Sequence, residues 1–376
     1  MNDRKSASVD QAKSMVKPAV SRGAAKGKRA KSWAVLSLAM VFSLVVAMGI
    51  VGCSSPEDSS SDAQDAGYLN VYSSRHYDID REIFLQFEEE TGIRVNVIEG
   101  TSHELLERLI REQGNPQADL FINVDSTALY EALSQDLLAP HNSEFVADQI
   151  EEGFFGDAWT ALTLRARTAL YDREQSSDIQ INEYLDLASS EFADSVLVRS
   201  STNTYNRALV AGLIQSFGED YAEEFVRGIA GNMARNPEGN DRDQARAMIG
   251  GEGSIAIMST YYVQNLLDSV EPFDVEVGER LVPVFPQETF TDITWAAPVA
   301  GSDQNENATK LIEFMIAQQQ QEAIMNVNGE APANKAVSLP PHLEFLYDYN
   351  SMQTNFEELG RYTIPAAMMM DIAGWE

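Results

Sequence analysis

The 376-residue chain carries 27 Lys/Arg against 58 Asp/Glu, a formal net charge of −31 at pH 7. Such a balance repels nucleic acid and anionic membrane surfaces, so neither is expected as a partner of the folded body. A single cysteine rules out an intramolecular disulfide and a multi-cysteine metal site.

Residues 1–32 hold nine Lys/Arg against Asp3 and Asp10, and the run from Trp33 to Gly52 carries no charge. A basic flank, an apolar core and then small residues is the layout of an export signal, although about 20 apolar residues would also span a bilayer. The end of the run separates the two readings. Ile50-Val51-Gly52-Cys53 resembles the lipobox of bacterial lipoproteins, whose cysteine is acylated and becomes the first residue. Residues 1–52 are therefore expected to be a lipoprotein-type signal peptide and Cys53 the lipidation site, with an uncleaved anchor helix as the alternative. Either way the rest of the chain lies outside the cytoplasm, because the basic flank stays inside. The diacylated anchor that the resemblance implies would hold to the membrane where one acyl chain would not. Residues 53–67 are Ser/Asp-rich without an apolar face and read as a flexible acidic tether. From Cys53 onward the chain has 18 Lys/Arg against 56 Asp/Glu, with Lys310 and Lys335 its lysines. This acidity suits a surface adapted to salty surroundings, or one that attracts cations, and does not name a ligand.

So long a body exceeds what one hydrophobic core serves, and two lobes are expected. Leu69–Ser73 reads as a buried strand, and Ile79, Ile83, Phe84 and Phe87 recur at helical spacing behind a cap at Asp78 or Asp80. Thr91-Gly92 stops that helix. Residues 94–98 alternate like a strand, residues 103–113 repeat the helical pattern, and residues 118–124 give a third strand. Strand, helix, strand, helix, strand predicts parallel pairing with right-handed crossovers. Ligands of such open sheets sit beyond the carboxyl ends of strands, which directs attention to the turn from Ser73 to Tyr77. Residues 161–172 are long enough to cross from one lobe to the other. Residues 183–188, 195–200 and 208–217 then predict helix, strand and helix of a second α/β unit. Residues 253–258 predict a strand feeding a helix at 259–267, residues 294–299 a return strand, and residues 307–321 one amphipathic helix.

Four places are rich in groups that ligate a hard cation or hold an anion: Ser73-Ser74-Arg75-His76-Tyr77, Asn203-Thr204-Tyr205-Asn206-Arg207, Ser259-Thr260-Tyr261-Tyr262, and the pair Arg165 and Arg167. Singly, each has a bland reading as packing, a cap or a hydrogen-bonded surface tyrosine. Together they fall where the fold would aim them at one crevice. These residues, with Thr91-Gly92-Ile93 and the closing Met370-Asp371-Ile372-Ala373-Gly374-Trp375, make the chain similar to the ferric-ion-binding proteins of bacterial ABC importers from Leu69 to Trp375. The resemblance implies an α/β, two-lobed, type II periplasmic-binding-protein-like fold with the ligand cleft between the lobes. It divides the chain into a first part of the N-lobe at 68–165, a C-lobe at 166–292 and return segments shared by both at 293–376. It further implies Fe(III) as the transported ligand, held by Tyr77, Tyr205, Tyr261 and Tyr262, with His76 as a fifth ligand or a group just behind. Arg75, Arg165 and Arg167 would hold a synergistic anion such as carbonate or back the ligands, although four tyrosines make an external anion less necessary. Glu99 has no firm counterpart.

The residue types fit that metal. Ionising a phenol with its ordinary pKa near 10 costs about 4 kcal/mol at pH 7, so four cost on the order of 16 kcal/mol before any bond forms. A small trivalent cation offsets this, because hard ions prefer oxygen donors and charge strengthens every contact. The resemblance implies a monomer that delivers its metal to an ABC permease, extracytoplasmic and tethered through Cys53. One alternative is a same-fold binding protein for a small organic solute such as a polyamine, thiamine or a phosphonate, which would want apolar and carboxylate walls. A secreted, lipid-anchored enzyme is the other. The chain has no Gly-x-Ser-x-Gly, His-Glu-x-x-His, P-loop or Gly-x-Gly-x-x-Gly motif to support it.

Overall fold

The computed structural model describes residues 67–176 and 179–376. The signal peptide expected at 1–52, Cys53 and all of the tether except Gly67 lie outside the described residues.

The first half of the molecule is built by β1 (Tyr68–Ser73), α1 (Asp78–Thr91), β2 (Arg94–Glu99), α2 (Ser102–Glu112), β3 (Leu120–Asn123), α3 (Ala128–Ser134), α4 (Glu144–Gln149) and β4 (Phe155–Gly156). β1 pairs in parallel with both β2 and β3, as the strand–helix alternation predicts. Gly92 ends α1 in the left-handed conformation at φ 74°, where a side chain would be strained. Asp78 and Asp80 do not cap α1. Tyr77 occupies the N-cap position without a side-chain cap, and the two aspartates fall in the first turn, where their charge suits the helix amino terminus. Asp80 is instead buried against Arg75.

β5 (Trp159–Asp172) is the long crossing strand. Residues Thr160–Ala166 pair with a return strand from the first half, whereas Arg167–Tyr171 pair with a strand of the second. The partner therefore changes between Ala166 and Arg167. Beyond it come β6 (Val196–Leu197), α5 (Thr204–Phe217), α6 (Glu219–Asn232), α7 (Asp241–Ile249), β7 (Ile255–Ser259), α8 (Tyr261–Leu267), α9 (Pro272–Arg280) and β8 (Leu281–Val284). The helix expected at 183–188 is a 3-10 turn, Tyr184–Ala188, and the strand expected at 195–200 shrinks to two residues. Local alternation could not see that Val196 and Leu197 alone meet β7.

The chain returns through β9 (Thr291–Pro298), antiparallel to both β3 and β5. Then follow α10 (Asn305–Ile316), α11 (Gln318–Asn328), β10 (Ala331–Pro332), α12 (Pro341–Glu344), α13 (Phe356–Leu359) and α14 (Thr363–Ala373). The sheet order is β2-β1-β3-β9-β5-β7-β6, with β4, β8 and β10 attached to β5. The single helix expected at 307–321 is broken at Ala317, whose backbone is extended at ψ 152°. The break turns Gln321 inward, where its amide donates to the carbonyls of Leu162 and Met315 and accepts from the Ala333 N–H. Gln321 thus ties α11 to β5. One apolar cluster spans the first half and the helices around α5 and α6, and a second gathers Met248, Met258, Val263 and Leu266 under α7 to α9.

Candidate metal centre

Three helix starts carry the tyrosines singled out above. Tyr77 sits between β1 and α1, Tyr205 is the second residue of α5, and Tyr261 and Tyr262 open α8 directly after β7. The turn after β1 is set by Ser73, whose hydroxyl accepts from the Arg75 N–H and donates to the Arg75 carbonyl. The start of α5 is set by Asn203, whose side chain accepts from the Asn206 N–H at 3.2 Å. The loop in front of it is pinned from the far end of the chain. Trp375 is fully buried, and its Nε1 donates to the Arg199 carbonyl at 2.9 Å.

These starts bring the four phenols together from both halves. Tyr261 and Tyr262 stack with ring centroids 4.1 Å apart at 31°. Tyr77 interacts electrostatically with Tyr205 and meets the Tyr261 side chain, and Tyr262 interacts with Tyr205, Tyr261 and Tyr77. Tyr261 is buried, whereas Tyr77, Tyr205 and Tyr262 are half-buried. Burial is the main reason all four hydroxyls lose protons less readily than usual. For Tyr77 the charge of Glu330 adds to it and Arg75 opposes it; for Tyr205 Arg165 opposes it. For Tyr261 the neighbouring phenols add to burial; for Tyr262 Tyr205 and Asp241 add to it, and the hydrogen bond with Tyr261 opposes it. At neutral pH the cluster therefore holds four neutral hydroxyls.

Arg75, Arg165 and Arg167 lie behind these rings, each fully buried and paired with carboxylates. Arg75 forks onto Asp80 through Nε and Nη2 at 3.0 and 3.1 Å and reaches Glu330 with Nη1 at 2.9 Å. Arg165 donates to Asp292 at 3.1 Å and to the Val124 and Ile293 carbonyls. Arg167 donates to Asp241 at 3.0 Å and to Asn206 Oδ1 at 2.6 Å. Guanidinium groups also sit against the rings, Arg75 at 4.9 Å from the Tyr77 centroid and Arg165 at 5.1 Å from that of Tyr205. The three arginines are thus committed to the scaffold, although Arg165 Nε is buried without a hydrogen-bond partner. Breaking one of these pairs is costly, because the partner charge stays behind. Arg167→Leu, which strands Asp241, is expected to lower unfolding stability by about 3–5 kcal/mol in a denaturant titration.

His76 is exposed and adjoins Tyr77 in the turn before α1. Glu99, at the end of β2, accepts from Arg81 at 2.8 Å. Among the described residues no three His, Cys, Asp or Glu side chains converge as a metal site. The residues that sequence reading missed are the carboxylates behind the arginines: Asp80, Asp241, Asp292 and Glu330. In so acidic a chain nothing local marks Asp241, Asp292 and Glu330 among 58, and Asp80 reads only as a helix cap. Two surface grooves of about 550 and 650 Å³ run along the segment 349–356 and contain none of the four tyrosines.

Residues 115–346 match the family model described as bacterial extracellular solute-binding protein. Over 350 residues the chain is 32% identical to iron uptake protein A1 of Synechocystis sp., covering 91% of this chain and 97% of that protein. Among solved structures it resembles a ferric binding protein from Campylobacter jejuni, with a TM-score of 0.77 and 35% identity over 82% of this chain and all of that one. A Trichodesmium protein solved with iron and citrate superposes with a TM-score of 0.78 at 32% identity, again over 82% of this chain and 100% of its own. These relatives share the two-lobed α/β architecture in which a cleft separates the lobes. The chain belongs to the bacterial extracellular solute-binding proteins, in the branch of the ferric-ion-binding proteins.

Proposed function

We propose that this protein is the extracytoplasmic binding component of an ABC importer, that it holds Fe(III) through the phenolates of Tyr77, Tyr205, Tyr261 and Tyr262, and that it delivers the metal to a membrane permease. The observation that carries this reading is the convergence of four phenols from both halves of the molecule where no His, Cys, Asp or Glu cluster exists among the described residues. Phenolate oxygen is a hard, charged donor, and only a cation of high charge repays the removal of four protons. The names of the relatives support the metal, and the solute-binding family supports capture and delivery instead of turnover.

On this reading the lobes are residues 68–165 and 166–292, with 293–376 shared, and the cleft closes about the crossover in β5. Tyr77 comes from one side, and Tyr205, Tyr261 and Tyr262 from the other. The exposed ring of His76 lies next to Tyr77 and is available as a fifth ligand. Most guanidinium donors of the arginines are taken, so a synergistic carbonate would have Arg165 Nε as its available buried donor. Cys53 is the lipid anchor, the acidic segment after it is the tether, and the protein works as a monomer at the outer face of the membrane.

Adding ferric citrate to the protein is expected to give a red to purple colour from phenolate-to-iron charge transfer. A colourless, unbound mixture would overturn the reading, and binding of a polyamine, thiamine or a phosphonate in its place would establish the organic-solute alternative.

A further inference from the structure

The turn Asn328–Glu330, between α11 and β10, meets Arg75 and Arg165, which sit against Tyr77 and Tyr205, and also meets α8, which carries Tyr261 and Tyr262. Glu330 is fully buried. Its carboxylate accepts from Arg75 at 2.9 Å and from the Thr163 hydroxyl at 3.0 Å, and it lies 3.5 Å from Arg165. Arg75 sits against the Tyr77 ring and Arg165 against that of Tyr205. The other side of the same turn meets α8. Asn265 Nδ2 donates to the Asn328 carbonyl at 2.7 Å and also reaches the Tyr261 carbonyl at 3.3 Å. Gly329 adopts φ +73°, and a Cβ there would lie 2.5 Å from the Gln264 Cβ and 3.2 Å from the Tyr261 carbonyl. The Tyr347 hydroxyl closes the turn by donating to the Gly329 carbonyl. Met325, one turn earlier on α11, belongs to the second apolar cluster together with Val263 and Leu266 of α8.

Such an arrangement does more than fill space. The charged end of the turn is locked to the half that carries Tyr77, and its backbone is locked to the helix that carries Tyr261 and Tyr262. We propose that Asn265 and the Asn328–Glu330 turn form a positioning joint, which holds α8 against the Tyr77 side of the cleft and so slows escape of the bound cation. The proposal rests on the ferric reading given above. The group best suited to a test is Asn265, because its amide donates to the carbonyls of Asn328 and Tyr261 and lies outside the buried ion pairs.

In Asn265→Ala the bridge is lost while all four phenols and their arginines remain. Chelator-driven removal of iron from the loaded protein is expected to be about three- to tenfold faster, the effect of losing one such hydrogen bond. The position of the visible absorption band is expected to stay unchanged, because the ligands are the same. In the metal-free protein, small-angle scattering is expected to show a larger radius of gyration for Asn265→Ala than for wild type, as the cleft spends more time open. Asn265→Gln, whose longer amide can still reach the Asn328 carbonyl, is expected to recover part of both effects. Equal release rates and equal scattering for wild type and Asn265→Ala would overturn the joint. A wild-type protein that takes up no iron but still opens on Asn265→Ala would overturn the ferric reading and leave the joint standing.

Discussion

Replacing Tyr261 and Tyr262 together by Phe is expected to lower ferric affinity by at least about 10⁴-fold and to bleach the visible band. Outer-sphere partners of a metal ligand are worth about 10- to 100-fold each, and direct ligands exceed that range. The two substitutions remove two of four charged oxygens while keeping both rings, so the 4.1 Å stack and the packing of buried Tyr261 persist. The fold is therefore expected to survive, with an unfolding midpoint within a few degrees of wild type. A titration against citrate measures the loss directly. Undiminished binding in this variant would remove the tyrosines from the metal's coordination sphere and with them the mechanism proposed here. Tyr205→Phe is the harder test of the same idea, since Arg165 and Arg167 both sit against that ring and keep it in place.

Much of the fold was legible because the first half is built from local rules. Strand runs at 69–73, 94–98 and 118–124, helical spacing between them and Gly92 as a stop are all near-neighbour signals, and each element formed within a few residues of its expected place. The second half was less legible, because its strands owe their length to partners far away in sequence. Val196 and Leu197 pair with β7 some sixty residues later, and nothing in residues 195–200 foretells that only two of them will pair. The phenols could be found from Tyr-rich turns at strand and helix boundaries, with family resemblance to connect them. Their supports could not. Glu330 contacts Arg75 across 255 positions and Asp292 contacts Arg165 across 127, so the carboxylates that fix the arginines are visible only when the chain is folded. The Asp78 and Asp80 positions show the same limit. Their local signal is a helix cap, whereas Asp80 answers the buried charge of Arg75.

Iron affinity is expected to fall steeply on acidification, by as much as about four decades per pH unit if all four phenols surrender a proton to the metal. The sign follows from the state of the free site. Burial holds the hydroxyls of Tyr77, Tyr205, Tyr261 and Tyr262 above the ordinary phenol range, so throughout neutral pH each is protonated and the metal must displace those protons. Lowering the pH adds to the competitor and weakens binding; raising it does the reverse. Unfolding does not mimic this effect. A phenol whose folded pKa is raised keeps its contribution to stability below the ordinary phenol pKa and loses it only as pH rises toward the folded value. Glu330 acts at the opposite end of the scale. Burial pushes its pKa up, but Arg75 and Arg165 outweigh that and hold it below the usual carboxylate value, so its contribution is lost only in acid. The window from about pH 6 to 9 lies between these limits and isolates metal–proton exchange. Proton release on ferric loading, followed in weakly buffered solution and corrected for the chelator, is expected to approach about four per metal in wild type and to fall by about two in the Tyr261→Phe, Tyr262→Phe variant. Release of a single proton or none would mean that at least three of the four phenols stay neutral around the metal, and so few phenolates could not retain a ferric ion against citrate.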